Sequence, residues 1–401
     1  MGTPSRLLWT WEARTTGWHD TARPATSFKC TSGRGSPTLD LNEVDPSTCT
    51  KVILAIALFA SIWAIDKCYS HDISWPKGTN GGNFIDWKTF KANGANLGGW
   101  LEKEKTHDPI WWSKVGGDAA PDEWTLCQTL GSKCGSTFEA RYASFLNTTT
   151  IDQLTAAGIN TLHIPTTYAT GVSYLKTITQ YAISKYDMHI IIGIHSLPGS
   201  VNNLDIGEAL MHDAWFYNAT NLAYSFQAID GILNFIKSIS HTNAFTVAPI
   251  NEASDNLPGF GSADAKVDKR IPLMLQDNFK GASYWAPFYA AGTNLVIDSH
   301  VYYFAAAGTY SAYVKHAVCE QASYLAEETK FPVFVWECAR KTIFDTQRYA
   351  WQKYVAGGSS WTAVSYSTAR VDGEGTQRDY WSYIDLINAG IITKATNASY
   401  R

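Results

Sequence analysis

I-D-Q-L-T-A-A-G-I-N-T-L-H-I-P (151–165), continuing to D-M-H-I-I-I-G-I-H (187–195), is the stretch that decides the fold. Apolar residues at helical spacing cover 151–157, Gly158 interrupts the pattern, and 160–164 is an apolar run of strand length. The pattern then returns to helix over 174–185 and to strand over 189–195. Helix and strand alternating at this period are the signature of repeated β/α units.

The same alternation runs outward in both directions. Strands are predicted at 94–97, 160–164, 189–195, 245–251, 273–278, 294–300, 332–337 and 360–366, with helices at 151–157, 174–185, 219–238, 310–328 and 346–356. Gly158 and the pair Gly357-Gly358 read as helix stops. Eight strands with intervening helices over about 310 residues predict an α/β fold, a TIM (β/α)8 barrel with loop insertions. No linker-like stretch divides residues 71–401, so one domain is expected there. No phosphate loop, dinucleotide glycine fingerprint, nucleophile elbow or H-E-x-x-H zinc motif occurs.

A hydrophobic content of 45% and an aromatic content of 13% allow a large core and exclude disorder for most of the chain. A net charge of -4 offers no basic surface, so nucleic acid is not an expected partner. Sixteen Trp and 21 Tyr supply flat faces of the kind that stack on the C–H faces of sugars, although most must serve the core. Seven cysteines point to an oxidising compartment, with Cys127–Cys134 and Cys319–Cys338 predicted as disulfides and Cys30, Cys49 and Cys68 left open. Asn147, Asn218 and Asn397 head N-glycosylation triplets.

Residues 52–65 form an apolar run after Lys51, with the layout of a secretory signal peptide and less than the roughly 20 residues a membrane helix needs. About fifty residues without periodicity precede it. Two readings stay open for the segment: residues 1–50 are disordered or an artefact of a wrongly joined exon, with a signal peptide at 51–70, or the run is a signal anchor. Either places the folded domain outside the cell or at its surface.

Two glutamates, Glu252 and Glu337, each end an apolar strand, and in a parallel barrel the carboxyl ends of all strands meet on one face. Two opposed carboxylates are what cleavage of a glycosidic bond requires. Around them stand G-A-N-L-G-G-W-L-E-K-E (94–104), L-H-I-P (162–165), I-H-S-L-P-G-S (194–200), I-N-E (250–252), D-S-H-V-Y (298–302) and V-W-E (335–337). In this order and spacing, the chain resembles glycoside hydrolase family 5, and within it the exo-β-1,3-glucanases of fungi and oomycetes, over about residues 85–395.

The resemblance implies Glu252 as acid/base and Glu337 as nucleophile of a retaining double displacement, with carboxyls about 5–5.5 Å apart. It implies Asn251 on the sugar 2-hydroxyl, His300 and Tyr302 orienting the carboxylates, His195 lining the sugar site, and Glu104 and Asp205 binding hydroxyls at its closed end. Three departures stand out. His163 occupies the usual place of an arginine, so a permanent charge is exchanged for a titratable one. Trp336 replaces a glycine before the nucleophile. The eighth-strand tryptophan platform is missing, leaving Tyr366 or Trp361 to supply the ring. The expected function is a secreted monomeric enzyme releasing glucose from β-1,3-glucan in wall metabolism, without metal or cofactor. A transglycosylase, a β-1,4-glucan or mannan hydrolase, and a weakened glycan-binding pseudoenzyme are the alternatives.

Overall fold

Ala92 pairs in register with Gly357, and that contact closes a ring. The computed structural model describes residues 84–167, 172–202, 210, 218–253, 270–301, 314–328, 330–336, 341–370 and 375–392. Eight strands run parallel in sequence order: β1 (Ala92–Asn96), β2 (Thr161–Thr167), β3 (His189–Ser196), β4 (Phe245–Ala248), β5 (Leu273–Gln276), β6 (Leu295–His300), β7 (Val333–Trp336) and β8 (Gly357–Ser360). Around them lie α1 (Pro109–Lys114), α2 (Glu123–Leu130), α3 (Cys134–Phe145), α4 (Thr148–Ala156), α5 (Val172–Tyr186), α6 (Ala219–Ser238), α7 (Ala282–Trp285), α8 (Val314–Leu325), α9 (Lys341–Tyr354), α10 (Arg378–Trp381) and α11 (Tyr383–Asn388). The architecture is the TIM barrel that the sequence predicts.

The two-residue period of a strand divides its side chains between the helices and the barrel axis. Leu162, Ile164, Ile190, Ile192, Ile194, Phe245 and Val247 face outward into one helix-packed core. Leu295, Ile297, Val333 and Val335 do the same against Val318 and Trp351 in a second. The intervening residues Ile191, Met274, Val296 and Phe334 meet one another inside the ring with Trp87 and Ala92. Each such side chain taken from water stabilises the fold by about 1.5–3 kcal/mol. Further along the same inward-facing rows stand His163, His195, Asp298 and His300, so the lower barrel is mainly apolar, apart from the buried His189–Thr246 pair under Trp87, and its carboxyl end is polar.

The eighth strand corrects the expectation. It is Gly357–Ser360, not 360–366, and the pair read as a helix stop is the strand itself. Space explains the composition: a Cβ on Gly357 would collide with the Ala92 backbone, and one on Gly358 with Val335 O and the Trp351 ring. Seven other strands fall within a few residues of their predicted places, and α6 coincides with 219–238.

Cys127 and Cys134 form a disulfide between α2 and α3, with Cα atoms 5.0 Å apart. Cys319 corrects the second pairing: it is a free thiol whose side chain packs against the apolar layer between α8 and the barrel. Its expected partner Cys338 lies outside the described residues, as do Asn397, the three N-terminal cysteines and segments 1–50 and 51–70. No described helix is long and apolar enough to cross a membrane.

Candidate active site

β4 ends at Ala248, and the chain runs on through Asn251, which is buried, to Glu252. Glu252 has left-handed backbone, φ 41°, a conformation that costs a non-glycine residue about 1–3 kcal/mol and is found where a side chain must be aimed. Its carboxylate Oε1 lies 2.7 Å from His300 Nδ1, at the end of β6. The other ring nitrogen, Nε2, stands 3.4 Å from Asp298 Oδ2, two residues earlier on the same inward-facing row. Burial alone would pull the His300 pKa down, but Asp298 and Glu252 outweigh it and push it up to about 10. The imidazole is therefore held charged between two carboxylates.

The neighbouring histidines are held neutral. His163, on β2, meets Asn96 Nδ2 through its Nδ1 at 2.9 Å, so Nδ1 accepts and the proton sits on Nε2. Burial, opposed by Asp298, lowers its pKa to about 4. The ring fits because residue 193 is glycine: a Cβ there would stand 2.6 Å from His163 Nε2. His195, on β3, is 5.8 Å from His163 between ring centroids, and burial holds it well below its ordinary value. His163 therefore brings no positive charge to this position.

Trp361 follows β8 directly and lies parallel to His195, with an interplanar angle of 8° and centroids 6.3 Å apart. Its indole Nε1 donates to His107 Nε2 at 2.6 Å, and its ring fills the space that a Cβ on Gly98 would need. One glycine of the N-L-G-G-W motif is explained by that contact. Burial and the nearby Lys103 lower the His107 pKa to about 3, which leaves Nε2 free of a proton and able to accept. Glu104, half-buried, brings Oε2 to 3.5 Å from the same nitrogen, a proximity to a neutral ring and not an ion pair. Below them the buried Lys103 donates to Gly99 O at 2.6 Å and pairs with Asp108, which Arg141 also holds at 2.6 Å. Loss of water lowers the Lys103 pKa to about 7.

Tyr366, the other candidate for the missing platform, packs edge-on against Phe145 and lies under the guanidinium groups of Arg141 and Arg378. Trp361 is the ring that meets the site's histidines. Glu337, Asp205 and Tyr302 lie outside the described residues. Trp336, which precedes Glu337, stands in register with His300 on one side and Ser359 on the other.

Sequence reasoning missed Asn96, His107, Asp298 and Phe279. Asp298 had a signal, since two-residue spacing puts it on the face of His300. Asn96 lay unassigned inside a quoted motif. His107 and Phe279 sit in loops and carried none. Phe279 has a φ of 58°, is 59% exposed, and turns its ring edge to His300 with centroids 6.3 Å apart. Among the described residues no cluster of His, Cys, Asp and Glu could hold a metal ion.

The chain matches no family profile. It is 26% identical over 319 residues to a probable glucan 1,3-β-glucosidase A of Aspergillus niger, an alignment covering 72% of each chain. A probable glucan 1,3-β-glucosidase of Arthroderma benhamiae is 24% identical over 242 residues, covering 54% of this chain and 58% of that one. Among solved structures, a rutinosidase from Aspergillus niger superposes with a TM-score of 0.73 at 40% identity, over 78% of this chain and 100% of that one.

Proposed function

We propose that this chain, which belongs to glycoside hydrolase family 5, is a secreted, retaining exo-acting β-glucosidase of β-1,3-glucan. The observation that carries the reading is the contact of 2.7 Å between Glu252 and the charged His300 at the carboxyl end of the barrel. A general acid needs a proton within reach of the leaving oxygen, and this pair holds one between carboxylate and imidazole.

The reaction follows in two steps. The Glu337 carboxylate attacks the anomeric carbon while the bond to the leaving oxygen breaks and the proton shared by His300 and Glu252 passes through Glu252 to that oxygen. Water, giving its proton to Glu252, then attacks the same carbon and releases Glu337, so the configuration is retained. Asn251, His195 and Glu104 serve the sugar hydroxyls, Trp361 supplies its flat wall, and Phe279 offers an exposed ring to the leaving group. Asp205 and Tyr302 keep the roles that the family resemblance gives them.

A second reading is a rutinosidase-like enzyme, acting on a disaccharide carried by an aromatic group. Identity of 40% to such a protein over its whole length favours it, against 26% to the glucosidase. The exposed ring of Phe279 suits an aromatic leaving group equally well. The test is turnover of laminarin and of an aryl rutinoside by residues 71–401, with Glu252→Gln and Glu337→Gln beside the wild type. Each variant is expected to lose at least 10³-fold, with azide partly restoring Glu337→Gly and the β-anomer appearing first by NMR. Wild type inert on both substrates, or a first-formed α-anomer, overturns the proposal.

A further inference from the structure

After β5 the chain makes a turn that is expensive to hold. Asn278 and Phe279 both have left-handed backbone, φ 51° and 58°, although neither is glycine. Asparagine tolerates this conformation; a phenylalanine does not, and its exposed ring recovers little by burial. Two side chains hold the turn in place. Gln276 Oε1 accepts from the Asn278 N–H at 2.9 Å, and Asp277 Oδ1 accepts from the Phe279 N–H at 3.0 Å. Asp277 is itself buried, and its second oxygen, Oδ2, accepts from Ser299 Oγ at 2.7 Å. Ser299 lies on β6 between Asp298 and His300. The carboxylate therefore ties the turn that carries Phe279 to the strand that carries the acid/base partner. Trp285 Nε1 fixes the same turn from outside by donating to Asp277 O at 2.6 Å.

We infer that Asp277 is a positioning residue for the leaving-group side of the site, holding Phe279 edge-on to His300 through the Ser299–Asp277–Phe279 chain of hydrogen bonds. The inference rests on the proposed glycosidase activity. A residue that acts only through Phe279 loses its kinetic effect once Phe279 is gone, whereas a residue that supports the fold in general does not.

The experiment is a double-mutant cycle on an aryl β-glucoside with Asp277→Ala, Ser299→Ala, Phe279→Ala and the two combinations with Phe279→Ala. Asp277→Ala and Phe279→Ala are each expected to raise KM about three- to tenfold, with kcat changed less. The combinations are expected to match Phe279→Ala alone. Asp277→Asn keeps an oxygen for the Phe279 N–H and should restore most of the affinity. If the folds of change multiply, or if Asp277→Ala leaves KM unaltered, the inference is overturned. Should Asp277→Ala not fold, the Ser299→Ala cycle decides by the same criterion. Failure of the glycosidase reading looks different: wild type itself shows no turnover.

Discussion

His300 Nδ1 approaches Glu252 Oε1 to 2.7 Å while its Nε2 faces Asp298 at 3.4 Å, so one imidazole links two carboxylates across adjacent sides of the site. Its folded-state pKa, about 10, lies above the ordinary value of 6.5. The stability this charge contributes is fully present below pH 6.5 and is lost as pH rises through 10. His300→Gln is expected to flatten the fall of Tm between pH 7 and 10, read by thermal melts. It should also lower kcat by about 10²-fold or more.

Four buried histidines work in the opposite sense. His107, His163 and His189 are depressed to about 3, 4 and 3, and His195 well below its ordinary value, all chiefly by burial. A depressed folded pKa gives stability that is present above 6.5 and lost as pH falls towards the folded value. Each histidine takes away about 1.4 kcal/mol per pH unit over that window. Unfolding by acid is therefore expected between pH 6.5 and 4, before most carboxylates titrate. Urea midpoints across that range check it, and His189→Gln, remote from the polar end of the barrel, should move the transition to lower pH.

Gly193→Ala places a Cβ 2.6 Å from His163 Nε2, inside contact distance. The ring must shift and its bond to Asn96 must lengthen. A loss of about 1–3 kcal/mol is expected from overpacking, with a fall in kcat/KM larger than the shift in Tm explains. Asn96→Ala in the same background should add little.

His107→Phe leaves the buried Trp361 N–H without its acceptor, a change that costs about 1–3 kcal/mol. KM for the non-reducing-end sugar should rise, since the Trp361 plane is no longer fixed against His195. His107→Gln, which can still offer an oxygen, should recover part of it. Kinetics on a glucoside with a small leaving group check this without involving Phe279.

Asn147 and Asn218 cap α4 and α6 through Oδ1, accepting from Thr149 and Thr150 and from Thr220 and Asn221. Both are exposed, and an N-linked glycan attaches to the other amide atom, Nδ2, so modification and capping are compatible. Asn→Asp at either site is expected to abolish a glycan and keep Tm. Asn→Ala should abolish it and cost about 1 kcal/mol. Mass spectrometry of secreted protein with melts of each variant checks both.

The barrel was legible in the sequence because six strands, β2 to β7, are rich in apolar or β-branched residues and the period of their helices is plain. β8 was not, because Gly357-Gly358-Ser359-Ser360 is chosen for the room that Ala92, Val335 and Trp351 leave, and carries no strand propensity of its own. Glu252, His195 and His300 were legible through motifs in register. Asp298 was readable too, two residues from His300 on one strand, but Asn96 and His107, which aim His163 and Trp361, come from distant segments, and contact across the ring has no local spacing to read. The left-handed turn at Phe279 is similarly silent, since neither of its residues is a glycine.

The seam between β1 and β8 joins positions that leave the ribosome far apart in time. Until 357–360 emerges, the growing sheet has two unpaired edges, rows of N–H and C=O groups that invite another copy to add on. A product truncated before Gly357 keeps nearly every polar residue of the site and still lacks a closed wall. Such fragments are expected to aggregate, and not to accumulate as weakly active barrels.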